Sequence, residues 1–236
     1  MPLAYQLTKC FHLQMSRARK HILHDNSLTH ITSRCHNQEF YLESDFIKRY
    51  VYETLVKCRK VHGISIIEYV FMSNHIHMLV CVESLPRISS FMRHANSLIA
   101  RKINEVYNKR SQAIEDRYKS PVIEDESYCL NTMLYVWFNP VRARMIQHSK
   151  VQDYPWSSLY RRFRGLKDPL VDAYDAVERV VGYRPGGTNS VQRFVADLIA
   201  GRQGELNYLS VEVYESLHSV GSDEFRISRR QLFDSS

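Results

Sequence analysis

No stretch of the chain approaches the ~20 uncharged apolar residues that a membrane span requires. The most apolar run, Ile64 to Val82, is interrupted by Glu68, Asn74, His75 and His77. The only apolar stretch near the N-terminus contains Lys9, so no signal peptide is readable, and a cytoplasmic protein with no membrane partner is expected. Glycine and proline are scarce, at 8 and 7 of 236 residues, while 44% of positions are hydrophobic, which excludes collagen-like, low-complexity and disordered chains. Cysteine is sparse and odd in number. Cys10, Cys35, Cys58, Cys81 and Cys129 lie far apart and form no C-x-x-C pair, so neither a disulfide framework nor a cysteine zinc cluster is expected.

Positive charge is present in excess, and it is unevenly spread. The formal net charge of +7 combines residues 1–167, with 25 Lys and Arg against 14 Asp and Glu, and residues 168–236, with 7 against 11. A basic body of this size favours a polyanionic partner, nucleic acid first. From Leu28 to Cys35 the residues alternate, with Ile31, Ser33 and Cys35 on one side and His30, Thr32 and Arg34 on the other, which predicts a half-buried strand. A helix follows, capped by Ser44 and closed at Gly63, with Ile47, Val51, Leu55 and Cys58 on its apolar face. Ile64–Met72 and His75–Glu83 read as strands joined by a tight turn at Ser73-Asn74.

A second helix is expected from about Arg87 to Tyr107, a short strand at Lys119–Ile123, and a third helix after the acidic run Glu124-Asp125-Glu126. The order is that of an α+β, ferredoxin-like or RRM-like antiparallel sheet, βαββαβ, with helices on one face and an additional helix. Two more helices, near Val191–Ala200 and Val211–Ser219, are expected in the tail. The chain divides into an N-terminal extension (1–27), a main domain (28–165) and a helical C-terminal extension (166–236) of unknown role.

His75 and His77 stand two apart on a strand, so both imidazoles project from one sheet face while Ile76 points to the other. That is metal-ligand geometry, although two polar residues on an open face would look the same. On the third helix Leu130, Met133, Leu134, Trp137, Val141 and Met145 fall at spacing that buries them, and Asn131, Tyr135, Asn139 and Arg142 share the other face, where Tyr135 is expected to be exposed. A phenol beside metal-bound imidazoles is a candidate nucleophile towards phosphorus. Asn139, one turn on, has an amide oxygen suited to be a third ligand; the same residue before Pro140 also reads as a cap where the helix breaks. Two His and one Asn leave open positions and suit Mg2+ or Mn2+ better than structural zinc. Arg117, Lys119, Arg142, Arg101 and Lys102 are candidates to track phosphates, and Tyr118 and Trp156 to stack on bases, Trp156 fitting the core better. Arg161-Arg162-Phe163-Arg164 is a further candidate DNA contact.

The string Met72-Ser73-Asn74-His75-Ile76-His77-Met78-Leu79-Val80 resembles the HUH motif of single-tyrosine transposases. Arg117-Tyr118-Lys119-Ser120, Glu124-Asp125, Tyr135 through Ala143 and Asp153-Tyr154-Pro155-Trp156-Ser157-Ser158 follow in the order and spacing of the REP-associated tyrosine transposases, IS200-like proteins that act on single-stranded DNA. The similarity runs from about Leu28 to Gly165. It departs at Arg144, where the family usually has Gly, at Asp116, where Gly often precedes R-Y-K-S, and at Ser73, where Pro is usual.

The resemblance implies a ferredoxin-like fold, a divalent metal on His75, His77 and Asn139, and Tyr135 as a nucleophile that cleaves and rejoins hairpin-associated DNA through a 5′-phosphotyrosine. It implies single-stranded or hairpin DNA as partner, acted on by a homodimer or by a monomer. Two rivals have different chemistry: a catalytically degenerate single-stranded nucleic-acid-binding module, and a metal-dependent phosphodiester hydrolase in which water attacks and Tyr135 only positions substrate.

Overall fold

Residues 27–82, 85–123, 126–171 and 219–220 are described by the computed structural model, beginning with β1 (Ser27–Arg34). Helix α1 (Asp45–His62) starts where Ser44 Oγ accepts the Ile47 N–H at 3.3 Å and ends where Gly63 adopts φ +62, a left-handed turn natural to glycine. Strands β2 (Ser65–Phe71) and β3 (His75–Val82) form a hairpin closed by Met72 N–H on the His75 carbonyl at 2.8 Å. Then come α2 (Leu85–Val106), β4 (Val122–Ile123), α3 (Glu126–Arg142), the short α4 (Ser158–Phe163) and β5 (Ser219–Val220). The sheet order is β2-β3-β1-β4-β5, the first four strands antiparallel and β5 parallel to β4. This is the expected α+β arrangement with one strand added.

The tail and β4 depart from expectation. Ser219 belongs to a strand, not to a helix end, so the tail adds an edge to the sheet. Strand β4 is shorter than Lys119–Ile123, because Pro121 has no N–H to give the ladder. Its carbonyl still accepts from His30 N–H at 3.2 Å and Thr29 Oγ at 2.9 Å, and Lys119 keeps a bridge to Thr32, with N–H to O at 2.9 Å in both directions. The helix expected at Val191–Ala200, residues 1–26 and Glu124-Asp125 lie outside the described residues.

Both faces of the sheet are covered. One carries α1 and α2 over Ile31, Phe71, Ile76, Met78 and Val80. The other carries α3 over Ile67, Val70 and Leu79, together with Val151, Tyr154 and Leu159 from the segment that follows α3. Strand β1 is therefore buried on both sides, with His30 only 1% exposed, where alternation alone predicts a half-buried strand. Among the described residues no helix is long and apolar enough to cross a membrane.

The position of α3 is set by a buried carboxylate. The β2–β3 register shifts between Ile66 and Glu68, and this bulge turns Ile67 and Glu68 toward the same helix. Glu68 accepts from Trp137 Nε1 at 2.9 Å and from Ser158 Oγ, and pairs with Arg162 Nε at 2.8 Å. Burial raises its pKa, and Arg162 opposes that rise most strongly. At its far end α3 does not break at Pro140. The proline sits in the last turn, and beyond it Arg144 N–H bonds the Val141 carbonyl and Met145 N–H the Pro140 carbonyl, at 2.9 and 2.8 Å. These are the two bonds of a Schellman ending, and Arg144 holds the left-handed position at φ +56. Arg144, where the resemblance leads one to expect Gly, is thus a position at which a side chain is strained. Met145, expected in the core, is 40% exposed because it follows this turn.

Arg144→Gly is expected to raise stability by about 1 kcal/mol, the relief of a left-handed non-glycine residue, measured as the midpoint of urea unfolding. Arg162→Leu, which leaves the Glu68 charge buried without its partner, is expected to lose about 3–5 kcal/mol, and the Glu68→Leu/Arg162→Leu double variant to lose less than that single change. A double variant as unstable as the sum of its parts would contradict this.

Candidate active site

Antiparallel pairing decides what stands beside the β3 histidines. Thr32 is opposite His77 and Arg34 opposite His75, and directly opposed residues share a face. The polar side of β1 (His30, Thr32 and Arg34) therefore lies on the same sheet face as His75 and His77, under α3. Ile76 packs in the cluster on the other face, as the two-residue spacing predicts.

His77 is at the centre. His30 Nε2 is 2.9 Å from its Nδ1, Thr32 Oγ 3.2 Å from the same atom, and Asn139 Nδ2 3.0 Å from its Nε2. The His30 and His77 rings stack at 4.9 Å, and the His75 ring meets His77 edge-on at 4.6 Å. Tyr135 reaches both inner histidines, its ring 5.5 Å from each, and the Arg142 guanidinium lies 4.9 Å over the phenol ring. The helical pattern predicts an exposed face for Tyr135. It is 4% exposed, because that face of α3 is pressed onto the sheet. Asn139 is not a cap: α3 runs through it, and its side chain is given to His77 and hydrogen-bonds His75 as well.

Electrostatics keep the three imidazoles neutral. Burial, then the neighbouring His75, hold His30 down to about 3. Burial, then Arg34, hold His75 down to about 4, against an opposing hydrogen bond to Asn139. His77 lies well below its ordinary value, through burial first and then His75, His30, Arg34 and Arg142. Neutral imidazoles have lone pairs to offer, so His75, His77 and the Asn139 amide fit a hard divalent ion with open positions. Among the described residues no three His, Cys, Asp or Glu side chains form a group that could hold a metal ion.

The basic candidates separate. Lys119 is bridged to Thr32 and so belongs to the site face, and Arg142 covers Tyr135. Arg117 is exposed on the connection leading to Lys119. Tyr118, one residue from Lys119, packs against the cluster on the opposite face. Arg101 and Lys102 belong to α2, across the sheet from Tyr135; Lys102 is paired with Glu105 at 2.8 Å. Trp156 packs against both clusters and donates to Asp45 at 2.7 Å. The run at 161–164 is held by internal carboxylates: Arg161 by Asp168 at 3.7 Å, Arg162 by Glu68, and Arg164 by Asp153 at 2.6 Å. The alternation of the first strand puts His30 and Arg34 on its polar face and leaves open whether that is the face of the histidine pair; the structure shows that it is. The signal that places them is topological, since βαββαβ sets β1 next to β3.

Residues 24–136 match the model of the family described as Transposase IS200 like. A solved structure of a REP-associated tyrosine transposase bound to a REP hairpin is similar at a TM-score of 0.50 and 17% identity, over 68% of this chain and 96% of that one. Both bear out the resemblance read from the sequence, the second as a likeness of fold. No curated protein matches the chain.

Without added metal, stability is expected to fall as pH drops below 6.5. The unfolded chain takes up protons on its histidines near 6.5, and the folded chain does not until about 4 and 3 for His75 and His30. The stabilisation is thus fully present above 6.5 and lost toward those lower values, at about 1.4 kcal/mol per pH unit for each histidine. Urea unfolding at pH 7, 6 and 5 measures it: His30→Gln should flatten the slope, and an unchanged slope would contradict the burial argument.

Proposed function

We propose that the chain is a metal-dependent transposase that cleaves and rejoins single-stranded, hairpin-associated DNA through a covalent bond to Tyr135. The observation that carries the reading is the placement of Tyr135 and Asn139, one turn apart on α3, against His77, with ring centroids 5.5 Å apart and a 3.0 Å contact. The family match over residues 24–136 supports it.

In the reaction the phenol oxygen of Tyr135 bonds to phosphorus as the bond to the 3′ oxygen breaks, and the proton lost by the phenol is balanced by the one gained on the 3′ oxygen. The products are a 5′-phosphotyrosine and a 3′-hydroxyl, which can later attack in reverse and reform the phosphodiester, so no external energy source is consumed. Arg142, 4.9 Å from the ring, offsets negative charge on the phenol oxygen and the phosphate. Mg2+ or Mn2+ held by His75, His77 and Asn139 would polarise the scissile phosphate and neutralise charge that develops on it. Lys119 lies on the same face, suited to the incoming strand, with Arg117 exposed beside it in the chain.

Labelled hairpin DNA with Mg2+ or Mn2+ should give an adduct that survives denaturing electrophoresis with the wild type, is undetectable with Tyr135→Phe, and falls at least 100-fold with His77→Ala. Binding without linkage across a varied hairpin set would instead identify a binding module, and metal-dependent cutting without an adduct a hydrolase. In binding measured against salt, Lys119→Ala should reduce the slope of log K by about 0.7. Arg101→Ala, across the sheet, should leave it unchanged; equal effects would place the strand elsewhere.

A further inference from the structure

The helix layer across the sheet from Tyr135 carries another pair of imidazoles. His62, in the last turn of α1, and His94, within α2, stand on neighbouring helices with Nε2 of the first 3.1 Å from Nδ1 of the second. Their rings meet at 5.4 Å and 79°, and the buried Phe91, one turn before His94, meets the His62 ring edge-on at 6.5 Å. Solvent reaches the pair, since His94 is exposed and His62 half-buried.

Two nitrogens bound to one transition ion, each at about 2.0–2.1 Å and about 90–110° apart, lie about 2.9–3.4 Å from each other. The observed 3.1 Å is already in that range, so small turns of two side chains admit a cation. It takes one lone pair from each ring, the shared hydrogen passing to the second nitrogen of its own ring. The carbonyl end of α1 favours positive charge there. Arg59 and Lys60, in the same turn as His62, oppose it, as does Arg87, whose Nη1 comes within 3.6 Å of the point where a side chain on Gly63 would begin. An ion held by charge alone is therefore disfavoured, and one held by bonds to imidazole nitrogen is selected.

We propose that His62 and His94 form a two-imidazole site for a divalent transition ion of the Zn2+ class, which ties the end of α1 to α2 and takes its remaining ligands from water. The site is separate from the hard-ion site at His75, His77 and Asn139 and does not rest on the function proposed above.

Calorimetric titration of the full chain with Zn2+ tests it. His62→Gln and His94→Gln should each weaken one Zn2+ binding step about 100-fold, because a single ring lacks the chelate, and the double variant should weaken it little further. His77→Ala should leave that step in place, and Mg2+ should show no such step. In NMR spectra of the wild type, the ring signals of His62 and His94 should shift together at one Zn2+ concentration. The proposal is overturned if the double variant binds Zn2+ as the wild type does, if the two single losses simply add, as separate surface histidines would, or if the two rings respond at different concentrations.

Discussion

The carboxylate of Glu68 is the anchor for everything on the α3 side of the sheet. A strand bulge turns it inward, and three donors from two helices converge on it: Trp137 on α3, and Ser158 and Arg162 on α4. Such a charge is expensive to bury unless it is paired and fully hydrogen-bonded. The arrangement that satisfies it is therefore narrowly defined. Trp137 lies between Tyr135 and Asn139 in sequence but points to another side of the helix. Fixing it over β2 while Tyr135 rests on β1 and β3 fixes both the rotation and the height of α3. The two residues that meet His77 are thus placed from a point outside the site.

That constraint accounts for the character of the site. An open sheet face with two histidines would be hydrated, and its imidazoles would titrate near their ordinary value. With α3 locked on top, the imidazoles are buried among one another and beside Arg34 and Arg142, all of which disfavour protonation. Positive charge and neutral nitrogen lone pairs then coexist, a combination suited to a phosphate and a hard cation together. The basic excess of the first 167 residues is divided accordingly. Lys119 and Arg142 attend the site, while several arginines of the run at 161–164 are consumed by internal carboxylates.

Elements whose signals are local were legible in the sequence: the Ser44 and Gly63 caps, the Ser73-Asn74 turn, and the period-two placement of His75 and His77. So was the topology, because the order of strands and helices leaves few alternatives. The burial of Tyr135 was not. A helix with one apolar stripe reads as half-exposed, and nothing local reveals that its polar stripe will meet a polar sheet face. The partner of His30 was not legible for the complementary reason, as it stands 47 positions away. That Asn139 lies inside α3 and not at a cap, that Arg162 is taken by the distant Glu68, and that Arg144 sits at a strained backbone angle are not encoded in composition or local pattern.

The proposed reaction passes through one covalent protein–DNA bond. Proteolysis of the protein–DNA complex formed with Mn2+, followed by mass spectrometry of the nucleotide-bearing peptide, locates that bond. The prediction is a single modified site, the phenol oxygen of Tyr135, carrying a 5′-phosphate. Linkage at any other residue, or complete cleavage of the DNA with no modified peptide, would contradict the account.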